Sequence, residues 1–160
     1  MENIFELKEK DPYGGLYIHL FQPKKDISEP GKNIKKGMSV IKPGSFKDTL
    51  SRRMRTYYSP KYWHYTNTNI AAFKNEVTKS YLIFDATKLD ESDRWLINGL
   101  EVKLHELVEK HFNVISKIGG GNSEYREIEF TTDSEFTKRI KQISREIHQI
   151  LSINLNYDYM

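Results

Sequence analysis

Residues 15–21, Gly-Leu-Tyr-Ile-His-Leu-Phe, alternate in character and are rich in β-forming side chains, so they read as a strand. The next stretch, 22–36 (QPKKDISEPGKNIKK), holds two prolines, a glycine and five lysines and reads as an exposed basic loop inserted in the domain. Met38 to Ile41 reads as a second strand, closed by Lys42-Pro43-Gly44-Ser45. The two strands would form an antiparallel hairpin around an unusually long loop, and loops of that length are more often functional than idle.

Working outward, Ser45 or Asp48 can cap a helix running to about Tyr57. Leu50, Met54 and Tyr57 share one face of it, with Arg52, Arg53 and Arg55 crowded around that face. Residues 58–66 (YSPKYWHYT) are aromatic and turn-prone, a short helix fits 69–76, and Ser80 to Phe84 reads as a third strand. A longer helix, capped by Asp90, Ser92 or Asp93, should run to about Phe112 on an apolar stripe of Leu96, Leu100, Leu104, Leu107 and Val108. IGGGNS is a loop, and Tyr125 to Thr131 reads as a fourth strand. Thr132-Asp133-Ser134-Glu135 has the pattern of a capping box and opens a final helix over 132–152. Phe136, Ile140, Ile143, Ile147, Ile150 and Leu151 give that helix a continuous core face, beyond which the tail should fray. The order predicts a single α+β domain over 1–160, a small antiparallel sheet of three to four strands flanked by helices.

The 160 residues suffice for one core. Hydrophobic residues at 38% and charged residues at 29% are ordinary for a folded chain. No apolar run approaches the roughly 18 residues of a membrane span, so no membrane partner is expected. MENIFELKEK is acidic and mixed, without a basic segment leading into an apolar one, so an intracellular location, cytoplasmic or nuclear, is expected. The absence of cysteine excludes disulfides, zinc ribbons and thiol nucleophiles. Any metal must be held by Asp, Glu or His, a ligand set that favours Mg2+ or Mn2+ while His also admits zinc.

The net charge of +3 is unevenly placed. Residues 1–65 carry 13 Lys and Arg against 7 Asp and Glu, and residues 66–160 carry 12 against 15. The stretch 24–61 is the most concentrated, with 11 basic and 3 acidic residues, among them Lys24, Lys25, Lys35, Lys36, Arg52, Arg55 and Lys61. A one-sided positive field suits a polyanion, although a solvated charged face gives the same count. The segment around Lys61 interleaves aromatics with charge, which suits either stacking on bases or burial of Trp63 beneath the domain.

Three features sit at informative spacing. Gly15-Leu16-Tyr17 opens the first strand, Lys42-Pro43-Gly44 closes the second, and Arg53 and Tyr57 lie four apart on the helix that follows. Further on, Glu101 and His105 are four apart on the longer helix. This arrangement resembles the GIY-YIG nucleases over residues 15 to about 126. GLY stands where the family has GIY, and KPG where it has YIG, as in a branch with Lys in place of the second Tyr. Arg53 stands for the helical arginine, Tyr57 for a position held by His or Tyr, and Glu101 for the metal-binding glutamate.

The resemblance implies a metal-dependent endonuclease that hydrolyses DNA phosphodiester bonds. Glu101 would hold one Mg2+ or Mn2+, and Arg53 would clamp the phosphate. Tyr17 would be the base toward water, with Lys42 lowering its pKa or contacting the phosphate. Tyr57 would hydrogen-bond near the same group. His105 is expected to support or pack rather than ligate, and Asn122, Glu124 and Arg126 lie where the family sometimes places a further polar residue. The loop 22–36, or a second copy in a homodimer, would supply sequence choice. The alternative is a catalytically inactive nucleic-acid-binding domain on the same fold, because the second motif tyrosine is absent.

Overall fold

A computed structural model of the chain describes residues 1–4, 7, 10–23, 26–29, 32–58, 77–118 and 124–155. In chain order the strands are β1 (Glu2–Asn3), β2 (Tyr13–Phe21), β3 (Ile27–Glu29), β4 (Lys32–Ile34), β5 (Ser39–Thr49), β6 (Val77–Asp85), β7 (Val114–Lys117) and β8 (Arg126–Ile128). The helices are α1 (Leu50–Tyr58), α2 (Leu96–His111) and α3 (Asp133–Leu155). The class is α+β, but the main sheet has six strands in the order β1-β6-β2-β5-β8-β7 rather than three to four, and every recorded pairing is antiparallel. The two unexpected members are the edges. β1 has two residues, and β7 is largely exposed, so neither carries an apolar alternation.

The central strand β2 is buried on both faces. Leu16, Ile18 and Leu20 join Ile97, Leu104, Val108, Phe136, Ile140, Ile143 and Ile147 in the main core, so α2 and α3 cover one face. Tyr17 points the other way, into a cluster with Phe46, Leu50, Met54 and Leu82 under α1. Phe21 on that second face packs with Ile34, Val40, Ile118 and Tyr125. Alternation therefore places Tyr17 on the α1 side of the sheet.

The stretch 22–36 is more than the open loop its composition suggests. β3 and β4 pair within it as a separate two-stranded ribbon, and Ile34 is fully buried. Its base is closed by Gly37 N–H donating to Pro23 O at 3.2 Å and by Asp26 accepting from Lys36 N–H at 2.8 Å.

β5 also corrects an expectation. It does not end at Lys42-Pro43-Gly44-Ser45 but runs through them to Thr49. Among the described residues β8 pairs only with Ser39 to Ile41, so Pro43 lies beyond that ladder, where its missing N–H breaks none of the β8 bonds. Ser45 and Asp48 accordingly lie in the strand and do not open the helix. Instead the Thr49 hydroxyl accepts from Arg52 N–H at 3.3 Å, and Asp11 accepts from Ser51 N–H at 2.9 Å. The α1 N-terminus is thus capped partly by a residue distant in sequence.

Glu91–Asp93 form a short 3-10 turn, so α2 starts at Leu96 rather than at those acidic residues, and Leu96 itself is only partly buried. α3 matches its stripe, and the Thr132 hydroxyl accepts from Glu135 N–H at 3.2 Å, half of the expected capping box. β8 is three residues long, shorter than 125–131. The aromatic segment from residue 59, the expected helix at 69–76 and the tail from 156 lie outside the described residues. Among the described residues, no helix is long and apolar enough to cross a membrane.

Candidate active site

The site forms where β5 loses its β8 partner. Tyr17 and Gly44 are directly opposed in the β2–β5 register. The Tyr17 ring lies over that glycine so closely that a Cβ on Gly44 would sit 2.5 Å from the Tyr17 hydroxyl. Lys42, two residues earlier and on the same face, donates from Nζ to the Tyr17 hydroxyl at 2.8 Å. Arg53 reaches down from α1, and its Nε donates to the same oxygen at 3.1 Å. Two cations therefore converge on one phenol. Gly15 has a parallel role, because a Cβ there would meet Phe84 O of β6 at 2.2 Å. Both motif glycines are thus explained by close approach of neighbouring groups.

Lys42 is only 2% exposed, yet its charge is matched, because its Nζ also lies 2.9 Å from Glu124 Oε2. Burial works against the ammonium, but Tyr17, Glu124 and Tyr125 outweigh it and hold its pKa above 10.5. For Glu124, partial burial works against the carboxylate, and the Lys42 ammonium more than offsets that, keeping its pKa below 4.5. The Glu124 segment is held in turn by Arg126, whose Nη1 donates to Glu124 O at 3.1 Å and whose Nε bonds Glu109 at 2.7 Å.

The opposite wall comes from α2, which packs on β5. Glu101 is oriented by Ser45, whose hydroxyl donates to Oε2 at 2.7 Å. His105 follows one turn later. Burial first, then Arg126, push its ring below 6.5 despite Glu124 and Glu101, so the neutral imidazole is favoured. One ligand-capable atom each from Glu101, His105 and Glu124 lie within 4.8 Å of one another. An open cleft of about 480 Å³ runs past them, lined by Ser45, Arg52, Arg53, Asn98, Glu101 and Glu124 among others.

Of the residues singled out in the sequence, Arg53 and Glu101 share that cleft, with Tyr17 and Lys42 directly behind Arg53. Tyr17 is fully buried and Lys42 nearly so, which places neither on the cleft wall and leaves Lys42 with no direct route to a phosphate. Tyr57 and Arg55 lie on α1, but their side chains are outside the described set, as are Lys24, Lys25 and Lys61. Lys35 and Lys36 are exposed at the ribbon base, where Lys35 sits 4.0 Å from Asp26. Arg52 lines the cleft and pairs with Asp48. The residue that the sequence signalled only faintly is Glu124; its signal was a polar Glu-x-Arg beside an expected strand. Compared with protein-family models, curated proteins and solved structures, the chain matches none.

Such a cleft offers cationic donors and carboxylates, with the His105 ring close to the latter. It can hold an anion against Arg53 and a cation against Glu101 at the same time.

Proposed function

We propose that this protein is a metal-dependent endonuclease of GIY-YIG type that hydrolyses DNA phosphodiester bonds. The observation that carries it is the meeting of Tyr17, Lys42 and Arg53 at one oxygen, with Glu101 on the cleft that Arg53 lines. The donor set fits a divalent cation, because Glu101 is half-buried and already oriented by Ser45. Mg2+ or Mn2+ held there would supply charge neutralisation at the phosphate and an activated water.

The chain's own groups do the rest. Arg53 binds the scissile phosphate and stabilises the charge that builds on its oxygens. Tyr17 anchors the Arg53 Nε and so fixes the guanidinium plane at the cleft wall. Lys42 remains buried and donates to the Tyr17 oxygen, which holds that ring in place behind Arg53. Ser45 keeps Glu101 in place.

A test is plasmid cleavage by the purified protein with Mg2+ or Mn2+. Arg53→Ala should lower the rate about 10²–10³-fold. Cleavage that survives Glu101→Ala would falsify the assignment. One observation favours a second reading, a DNA-binding domain without activity: Tyr17 is fully buried behind Arg53. Salt-sensitive DNA binding with no cutting under either metal would decide for it.

A further inference from the structure

The metal assignment above uses one carboxylate, but two more donors lie against it. His105 is four residues beyond Glu101 on the same face of α2. Glu124 arrives from the segment before β8, fixed by the Arg126 Nη1 contact to its carbonyl at 3.1 Å. The three side chains thus come from two parts of the chain, which Arg126 ties together through Glu109 of α2. Their ligand-capable atoms lie within 4.8 Å of one another. Ligands about 2.1 Å from a shared ion stand roughly 3–4.2 Å apart, so about 1 Å of side-chain movement closes the set.

His105 carries a second mark. Its Nδ1 is buried and has no hydrogen-bond partner among the described residues. A polar nitrogen kept from water without a partner is destabilising, and such atoms in native proteins are usually satisfied by something outside the chain. With carboxylate oxygens of Glu101 and Glu124 within 4.8 Å of one ring nitrogen, a cation is a partner that this cluster could take.

We infer that Glu101, His105 and Glu124 form a three-ligand metal centre, and that its imidazole makes the site select Mn2+ over Mg2+. Mg2+ takes oxygen ligands and keeps its waters, whereas a ring nitrogen is a ligand that first-row transition ions accept more readily, Mn2+ least among them. The inference rests on Glu101 being a metal ligand, but not on DNA cleavage. Glu124 would then be shared between the ion and Lys42, so metal binding and the buried cation behind Tyr17 are linked through one carboxylate.

The experiment is calorimetric titration of the full chain with Mn2+ and with Mg2+ in the absence of DNA, together with pulsed EPR of the Mn2+ complex. The wild type should bind Mn2+ at least about tenfold more tightly than Mg2+ and show nitrogen coupling from one imidazole. His105→Gln should abolish that coupling and weaken Mn2+ at least about tenfold, the loss that removing even an outer partner of a ligand produces. Mg2+ affinity should change far less. Glu124→Gln should weaken Mn2+ as well; because it also removes a partner of Lys42, the nitrogen coupling in the His105→Gln comparison decides on its own. A wild-type spectrum without nitrogen coupling, or unchanged Mn2+ affinity in His105→Gln, overturns the inference even if plasmid DNA is cut. Three-ligand Mn2+ binding without cleavage upholds it and removes the nuclease assignment instead.

Discussion

At the scale of single residues, Gly44 is the most exacting position in the site. A Cβ there would stand 2.6 Å from Tyr17 Cζ and 2.9 Å from Lys42 Nζ. Gly44→Ala should therefore cost about 1–3 kcal/mol in urea unfolding, as overpacking of a filled site does, and should depress DNA cleavage beyond that loss. The sequence placed a glycine at this motif position, but its cause is the tyrosine across the hairpin, and cross-strand register is not encoded in spacing along the chain. The burial of Lys42 was unreadable for the same reason, since its partner Glu124 is far along the chain. His19 gives a second expectation. Burial first, then Lys42 and Arg53, hold its pKa well below 6.5, so the folded state keeps it neutral while the unfolded chain protonates. Stability should then fall as pH drops below 6.5 toward the folded pKa, by on the order of 1 kcal/mol at pH 5.5. Unfolding curves at pH 7.5 and 5.5 for wild type and His19→Asn measure this: the variant should lose less over the same interval. Equal losses would show that His19 is not held neutral.

At the scale of elements, α1 carries Arg53, and its first turn is capped by Asp11. Asp11→Ala should destabilise by about 1 kcal/mol. Because the capped Ser51 sits two residues from Arg53, the proposed cleavage should suffer more than stability does, and kcat measured well below the unfolding temperature would reveal it. α3 makes a contrasting case. Ile140, Ile143 and Ile147 are fully buried, and Ile147→Ala should cost about 2–5 kcal/mol with cleavage unchanged in the fraction that remains folded. The helices with strong apolar stripes were legible for a physical reason: α3 is anchored by its own periodicity. The edge strands were not, because β1 is too short for a period and β7 faces outward. The continuation of β5 past Pro43 was hidden by a residue that normally ends strands and that here lies beyond the β8 pairing.

For the molecule as a whole, the charge asymmetry of the sequence overstates the positive field, because several of its cations are paired. Arg52 is paired with Asp48, Lys35 stands near Asp26, and Lys42 is buried against Glu124. DNA affinity, measured by fluorescence anisotropy from 50 to 200 mM salt, should still fall linearly on a log–log plot, by about 0.9 per phosphate neutralised. Arg52→Ala should lower that slope by about one and weaken all sequences alike. An unchanged slope would show that Arg52 takes no part in the proposed DNA contact.

The two contacts on the Tyr17 oxygen have a further consequence. A phenol has lone pairs with which to accept and one proton with which to donate. Lys42 and Arg53 both spend their donors on that oxygen, so its accepting capacity is already taken. The tyrosine at the heart of the site can then hand out a proton but not receive one. Under the proposed function, a phosphate that drew the guanidinium toward itself would leave that oxygen one lone pair richer, with its own proton still in place.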